Sequence, residues 1–249
     1  MKKNLAIALF LALCLLLTAC GGENADVSGS ITPNPEDSAA VPTGEVAQNQ
    51  EVTEPAVPEP ENELSLGRME GGIYTNTYAG FSCKLDSNWS FLSAKELEQI
   101  PSTVSEMVSG SELGDALADV QQFTDMMAEN VNDLTNMNVL YQKLGMQERL
   151  AYAVLSEEQV VDATLDQSAM MLEAYAQAGI SVTSMEKVTV NFAGRERFAL
   201  HTTATVQDIP YYMLQFFDFN LGEYAITTTL ASYVDDNTED LLELFSAAD

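Results

Sequence analysis

Cys20 is the residue whose surroundings point most clearly to one chemistry. Lys2 and Lys3 form a short basic segment, and residues 5–17 after them are an unbroken run of 13 apolar residues. This length suits the core of a signal peptide, because a membrane-spanning helix needs about 20 apolar residues. An ordinary secretory signal would end in an Ala-x-Ala pattern. Here a cysteine stands at the expected cleavage point instead, so we expect its thiol to be modified.

The segment Leu17-Thr18-Ala19-Cys20, followed by Gly21-Gly22, resembles the lipobox of bacterial lipoproteins. The resemblance implies cleavage of a signal peptide over residues 1–19, a thioether diacylglycerol on Cys20, and acylation of the new amino group, with palmitate as a typical acyl chain. Two or three chains anchor a protein stably, since each buried methylene contributes about 0.8 kcal/mol, whereas one chain binds marginally. The expected location is therefore the extracytoplasmic face of the cell membrane. The alternative is an ordinary or uncleaved signal that contains a cysteine by chance.

The chain is strongly acidic, with 38 Asp and Glu residues against 10 Lys and Arg residues and a net charge of −28. Removal of the signal peptide takes away Lys2 and Lys3, so the mature chain keeps eight basic residues and carries a charge of −30. This surface repels nucleic acid and anionic lipid headgroups, which excludes nucleic acid as an expected partner. A charge of this size most often keeps a protein in solution, and it indicates no particular binding site.

Residues 20–66 are expected to form an acidic, proline-rich, disordered tether. Positions 21–66 contain six prolines, ten acidic residues, no basic residue and no aromatic residue. Such a segment buries too little apolar surface to offset the entropy lost on ordering. Its 46 residues would have a root-mean-square reach of about 35–40 Å. The tether would hold a single folded domain, residues 67–249, clear of the membrane.

His201, the only histidine, and the acidic run at 235–240 are the other candidates for chemistry. A Ser-His-Asp triad would need a Gly-x-Ser-x-Gly elbow, and a zinc site would need more His or Cys ligands than the chain has. We therefore interpret His201 as an ordinary strand residue. The acidic run could suggest calcium, but it lacks the EF-hand spacing, and carboxylates also favour a helix N-terminus. We predict no catalytic residue, no cofactor-binding residue and no metal ligand, and hence no enzyme.

The remaining notable side chains fit a core better than a site. In the mature chain Cys20 would be the lipid anchor and Cys83 the only other cysteine, so no intramolecular disulfide could form. Cys83 lies in an alternating strand, at a position that predicts burial. Eleven methionines could form a copper or flexible binding surface, but core filling is the favoured interpretation. The aromatic residues at 211–219 fall on both faces of a strand, which indicates either a strand covered on both sides or one open face used as a pocket.

Period-two alternation predicts the strands. Two short strands are expected at 73–77 and 81–85, and a longer one at 136–144. Two hairpins are expected, one over 182–206 around Ala193-Gly194 and one over 211–232 around Asn220-Leu221-Gly222.

Capping patterns and period-3.6 spacing predict the helices. They are expected from Ser93 to before Pro101, from Ser111 to about Asn130, from Ser156 to Gly179, and after residues 236–239 to the end. Antiparallel hairpins with helices on both faces predict an α+β fold arranged as an α/β/α sandwich.

This order resembles the PsbP-like (Mog-type) sandwich domains over residues 73–249. The similar features are Tyr78-Ala79-Gly80-Phe81 followed by Trp89, a hairpin whose turn contains Gly194, and a leucine-rich terminal helix. Where relatives often have Pro-x-Gly-Trp, this chain has Asp86-Ser87-Asn88-Trp89. The resemblance implies a non-enzymatic accessory or binding role, since the family helps to organise the oxygen-evolving complex of photosystem II at a membrane surface.

Three functions are compatible with these observations. The first is a lipid-anchored, extracytoplasmic module that binds or helps to assemble a protein partner of unknown identity. The second is a small-ligand-binding lipoprotein that uses the aromatic sheet face. The third is a carboxylate-based hydrolase of wall polymers, but the spacing shows no pair of acids of the kind it would need.

Replacement of Cys20 by alanine is predicted to move the protein from the membrane pellet to the soluble fraction. The reason is that the Cys20 thiol would carry the diacylglycerol, and the amino group that is acylated afterwards would belong to the same residue. Fractionation and immunoblotting measure the change. Cys83→Ala is the matched control and should stay in the pellet. Retention of the Cys20→Ala variant in the pellet would contradict the lipoprotein interpretation.

Overall fold

The computed structural model describes residues 64–98, 121–166, 168–177, 179–219 and 222–248. These residues form a mostly β domain with two antiparallel sheets and few helices. The predicted signal peptide, Cys20 and nearly all of the predicted tether lie outside the described residues. No described helix is both long enough and apolar enough to cross a membrane.

Eleven strands make up the two sheets. The smaller sheet has the order β1-β2-β3-β11, and the larger has the order β4-β5-β6-β10-β9-β8-β7. In chain order the strands are β1 Arg68–Glu70, β2 Ile73–Asn76, β3 Phe81–Lys84, β4 Ser90–Phe91, β5 Gln122–Asn130, β6 Thr135–Lys143, β7 Ile180–Phe192, β8 Arg195–Val206, β9 Ile209–Asp218, β10 Tyr224–Tyr233 and β11 Phe245–Ala247.

The strand predictions are confirmed within a few residues at their ends. β2 and β3 pair around Gly80, β7 and β8 pair around Ala193-Gly194, and β9 and β10 pair as the second predicted hairpin. Gly80 and Gly194 both have φ of +78°, a region that glycine enters without steric cost. The hairpin strands could be predicted because long runs of alternating apolar and polar residues end at such turns.

Three α-helices follow β6. They are α1 Met146–Tyr152, α2 Glu157–Asp166 and α3 Ser168–Gln177. The capping box predicted at Ser156 is present, because the Ser156 amide donates to Gln159 at 2.9 Å and the Gln159 amide donates to the Ser156 hydroxyl at 3.2 Å. The capping box at Ser93 is also present and starts a helical turn over 94–98. The long helix predicted from Ser156 is therefore two described helices, which end just before Gly179.

The helix predicted from Ser111 to about Asn130 is wrong over its described part, where β5 runs instead. The register of β5 against β6 shifts between Thr124 and Met126, so Asp125 is an extra, bulged residue. The bulge brings Phe123 and Met126, three residues apart, into contact with the same hydrophobic core. The helix was predicted from the spacing of Leu113, Leu117, Val120, Phe123 and Met127, and the bulge interrupts the period-two alternation that would have indicated a strand. Residues 99–120 lie outside the described part.

The predicted terminal helix is also wrong in type. Residues Asp240–Leu244 form a single 3₁₀ segment, and β11 follows it. Phe245 pairs with Cys83 of β3, and both side chains are buried. Residues Phe245–Ala247 therefore add a fourth strand to the smaller sheet, and their pairing with β3 satisfies backbone groups of both strands.

Each face of the larger sheet carries its own core. On one face, α2 and α3 pack Val161, Met171 and Tyr175 against β8, β9 and β10. On the other face, Phe81 and Phe245 of the smaller sheet pack into the second core. The α-helices α2 and α3 thus lie on one face, and a single 3₁₀ segment packs on the other, so the predicted sandwich with helices on both faces is not shown. Strand β10 is buried along almost its whole length, as expected of a strand that is covered on both sides.

A buried polar network joins the two sheets. Asp125 Oδ2 accepts hydrogen bonds from the Tyr74 hydroxyl at 2.5 Å and from the Gly67 amide at 2.8 Å. Asn76 Nδ2 donates to the hydroxyls of Tyr74 at 2.8 Å and Tyr141 at 2.7 Å. Burial, and then the charge of Asp125, raise the pKa of Tyr74 well above its usual range, so its hydroxyl remains a donor.

Asp125→Ala is predicted to lower the free energy of unfolding by about 1–3 kcal/mol, because it leaves the buried Tyr74 hydroxyl without its acceptor. Asp125→Asn keeps an acceptor oxygen and should lose less. Urea unfolding measures both changes. Glu129→Ala, on the exposed side of the same strand, is the control. Equal stabilities for Asp125→Ala and Glu129→Ala would show that this network contributes nothing.

Candidate functional site

A cavity of about 360 Å³ opens where α2 begins, β8 begins and β9 ends. Its walls combine apolar and charged side chains from these three elements. The lining residues are Leu155, Glu157, Val160, Arg195, Glu196, Arg197, Phe217, Asp218 and Phe219. The volume lies at the lower end of the range for small-molecule sites, which is about 300–1,000 Å³.

The guanidinium of Arg197 lies at the centre of this cavity's charged groups. Its Nε donates to Glu157 Oε1, and its Nη2 donates to Asp218 Oδ1 at 3.0 Å. The side chain is only 7% exposed, so the two carboxylates compensate a charge that is nearly removed from water. The guanidinium also lies 5.9 Å from the ring centroid of Phe192 and 5.8 Å from that of Phe216. We name Glu157, Arg197 and Asp218 the ion cluster.

Local sequence signals explain why these three residues meet. The capping box at Ser156 makes Glu157 the first residue of α2, where a carboxylate is favoured by the helix dipole. Glu157 Oε2 also accepts a hydrogen bond from the Phe198 amide at 3.3 Å, which ties the helix start to β8. Extending the β8–β9 register from Leu200 and Gln215 sets Arg197 opposite Asp218. The cluster therefore joins a helix start to two strand ends.

Asp218 is the member of the ion cluster with an unused hydrogen-bonding atom. Its Oδ2 is buried without a hydrogen-bond partner. Burial raises the pKa of Asp218, and the charge of Glu157 adds to this, while Arg197 acts in the opposite direction. The cavity lining holds three acidic and two basic residues. Its chemistry suits a small ligand that brings an N–H or O–H donor to Asp218 and places an apolar part against Val160 and Phe217.

His201 lies outside this cavity, between two carboxylates. Its Nε2 is 2.9 Å from Asp236 Oδ2, and its Nδ1 is 3.7 Å from Glu186 Oε1. Glu186 faces it directly across the β7–β8 pair. The described contacts of His201 are therefore with two exposed acids, and they join β8 to the loop after β10.

The acidic run at 235–240 builds a turn. Asp236 Oδ1 accepts hydrogen bonds from the Thr238 amide at 3.2 Å and the Thr238 hydroxyl at 2.7 Å. This is the local capping chemistry expected of an Asp before a helical turn. Among the described residues, no group of three His, Cys, Asp or Glu side chains could hold a metal ion.

The aromatic run and the methionines lie mostly in the cores. Tyr211 and Phe217 pack under the helices, and Phe216 packs on the opposite face. The strand is therefore covered on both sides, and Phe217 and Phe219 at its end line the cavity. Met126 and Met127 are both buried, although they lie on a strand and not on the expected helix.

The structure tests the prediction for Cys83 but not the prediction for Cys20. Cys20 lies outside the described residues, so its lipidation stays a prediction. Cys83 is fully buried, and burial raises the pKa of its thiol to about 12. A thiol this hard to ionise is a poor nucleophile at neutral pH, in agreement with the predicted core role.

Sequence reasoning missed the ion cluster entirely. The signal that could have found it is an Arg within an alternating strand, at a position where its side chain must be covered, in a chain with few basic residues. Sequence reasoning also missed a set of buried polar side chains on the central strands. Both amide atoms of Asn138 and Oε1 of Gln142 are buried without a hydrogen-bond partner.

Comparison with known proteins shows a structural likeness. No protein-family model and no curated protein matches the chain. Among solved structures, the chain is similar to cyanobacterial PsbP (CyanoP) from Synechocystis sp. PCC 6803, with 12% sequence identity and a TM-score of 0.38. The match covers 75% of this chain and 95% of that one. The likeness concerns the backbone fold alone, and at this TM-score it supports no conclusion about function.

The raised pKa of Asp218 predicts a pH dependence that Asp218→Asn should remove. Because the folded-state pKa lies above the ordinary value of 3.8, the folded state binds the proton more tightly than the unfolded state. Its stabilising contribution is present below pH 3.8 and is lost as pH rises through the folded-state value. Wild type should therefore lose stability relative to Asp218→Asn between these two values.

Urea unfolding of both proteins at a series of pH values tests this prediction, since the difference between the two curves isolates one carboxyl group. Asp208→Asn, in an exposed turn, is the control and should run parallel to wild type. A wild type that gains relative stability as pH rises would show that attraction to Arg197 outweighs burial.

Proposed function

We propose that this protein is a lipid-anchored, extracytoplasmic module, without enzymatic activity, that binds a protein partner or assists its assembly at the membrane. The N-terminal pattern ending at Cys20 supports the anchor and the location. The observation that carries the binding role is a group of exposed apolar side chains at one end of the larger sheet. Leu134, Ile209 and Val234 are all exposed there, on a domain whose other large apolar side chains mostly fill two cores.

The proposed tether would keep the domain within a short distance of the membrane. A coil of 46 residues reaches about 35–40 Å, and acidic repulsion and prolines extend it further. The domain would search a shell of this thickness beside the membrane, where its local concentration near a membrane-bound partner is high. A PsbP-like sandwich architecture is part of the same proposal.

A second candidate function, small-ligand binding, is favoured by the cavity beside the ion cluster. Its ligand would be a small molecule with a donor group for Asp218 Oδ2 and an apolar part for Val160 and Phe217. A ligand of this kind should raise the melting temperature of wild type more than that of Asp218→Asn. Equal shifts in the two proteins would argue against the site.

Photo-crosslinking in intact membranes tests the leading proposal. A photoreactive amino acid is introduced singly at Ile73, Leu172 and Ile209, which are exposed on the smaller sheet, α3 and the start of β9. We expect a discrete adduct from at least one position, and we expect Cys20→Ala to weaken it because the variant loses its concentration at the membrane. Adducts no stronger than background at all three positions would contradict the proposed function.

A further inference from the structure

Three neighbouring strands of the larger sheet end in exposed apolar residues. The Tyr233 amide donates to the Leu134 carbonyl at 3.0 Å, and the Val234 amide donates to the Pro210 carbonyl at 2.9 Å. These bonds set the start of β6, the end of β10 and the start of β9 side by side. Leu134, Val234 and Ile209 are 49%, 50% and 45% exposed, respectively. We call these three residues the strand-end surface, and exposed Val131 lies three residues before Leu134.

The backbone at this end is held in an unfavourable conformation. Five non-glycine residues among those described have positive φ, and four of them lie here: Leu134 at 54°, Gln207 at 51°, Asp208 at 67° and Val234 at 71°. Gln207 and Asp208 form the two-residue turn between β8 and β9, for which positive φ is usual, so the unfavourable positions are Leu134 and Val234. A β-branched residue at such an angle is a genuine outlier, and glycine would fit there at less cost. Positions of this kind cluster at functional sites, where the retained side chain has a use that offsets the strain.

Acidic side chains surround the apolar residues. Asp133 precedes Leu134, Asp208 precedes Ile209, and Asp235 and Asp236 follow Val234, and all four are exposed. Among the described residues, the one ion pair that involves these acids joins Asp236 to His201. The surface therefore combines apolar contact area with several negative charges that no Lys or Arg compensates.

The exposed apolar residues and the carboxylates around them together indicate which kind of partner would bind this surface. Resting on the proposed function, we propose that the strand-end surface docks a protein partner through a segment that combines apolar side chains with Lys or Arg. The apolar residues would be buried at the centre of the contact, and the carboxylates would meet the basic groups at its rim. A membrane surface is a poorer occupant, because four carboxylates repel anionic headgroups.

Binding of a 14-residue amphipathic Leu–Lys peptide tests the surface on the full chain carrying Cys20→Ala, which keeps the protein free of lipid. In the test variant, Leu134→Gly and Val234→Gly are combined. Glycine suits the positive φ at both positions, so the melting temperature should be unchanged or higher while the apolar contacts are lost. We expect binding about tenfold weaker than for the unaltered surface.

The control pairs Leu150→Ala with Val154→Ala, which removes exposed apolar side chains from another part of the domain and should leave peptide affinity unchanged. A Leu–Glu peptide should bind neither protein. Equal affinities of the glycine variant and the control for the Leu–Lys peptide would overturn the proposal. Binding to phosphatidylglycerol vesicles that the glycine variant loses would also overturn it, in favour of a lipid contact.

The crosslinking assay separates this inference from the proposed function. If the membrane adduct forms equally with and without the glycine substitutions, the strand-end surface is not the docking site, but the proposed function stands. If the adduct is lost with the glycine substitutions and kept in the Leu150→Ala/Val154→Ala control, both are supported.

Discussion

The carboxylate of Asp125 is a polar contact that fixes the smaller sheet to the larger one, beside the packing of Phe81 and Phe245 in the core between them. It reaches Tyr74 and the Gly67 amide because a bulge in β5 turns it toward the smaller sheet. Gly67 is required for this approach, since a Cβ there would lie 2.1 Å from the Tyr74 ring. With the smaller sheet held in this position, both faces of the larger sheet are covered, and its central strand is removed from water. The faces of the central strands are therefore closed to a ligand, and the two candidate sites lie at strand ends.

The two candidate sites lie at opposite ends of the same strand. The cavity and ion cluster lie at the end of β9, and the strand-end surface lies at its start. Nine residue steps at about 3.3 Å separate Ile209 from Asp218, so the sites are about 30 Å apart along a rigid, doubly covered strand. A small ligand and a protein partner could therefore bind without direct contact, and neither site needs the buried aromatic face to open.

Most of the sheet could be predicted from the sequence because its strands are long, alternate regularly and end at turns such as Ala193-Gly194. The prediction of a strand failed at β5, where one extra residue changes the period of the alternation between apolar and polar side chains. Asp125 interrupts the alternation of β5, and the four-residue spacing of Phe123 and Met127 is compatible with a helix. The smaller sheet's last strand was also missed, because a three-residue strand such as β11 is specified by its partner β3 and has no periodicity of its own. The ion cluster could not be predicted, since it depends on the register that places Arg197 near Asp218 and on the exact start of α2.

The distribution of basic residues connects the fold to the chemistry of its surface. Eight basic residues lie beyond Cys20, and among the described residues three of them form ion pairs with carboxylates. Arg149 pairs with Glu223, Lys187 with Glu158 and Asp162, and Arg197 with the ion cluster. These three cations link α1 and α2 to residues of the sheet and its loops. None of the ion pairs among the described residues includes Asp133, Asp208 or Asp235, so the strand-end surface keeps a negative charge, and this charge is the reason why we propose a basic segment as its partner.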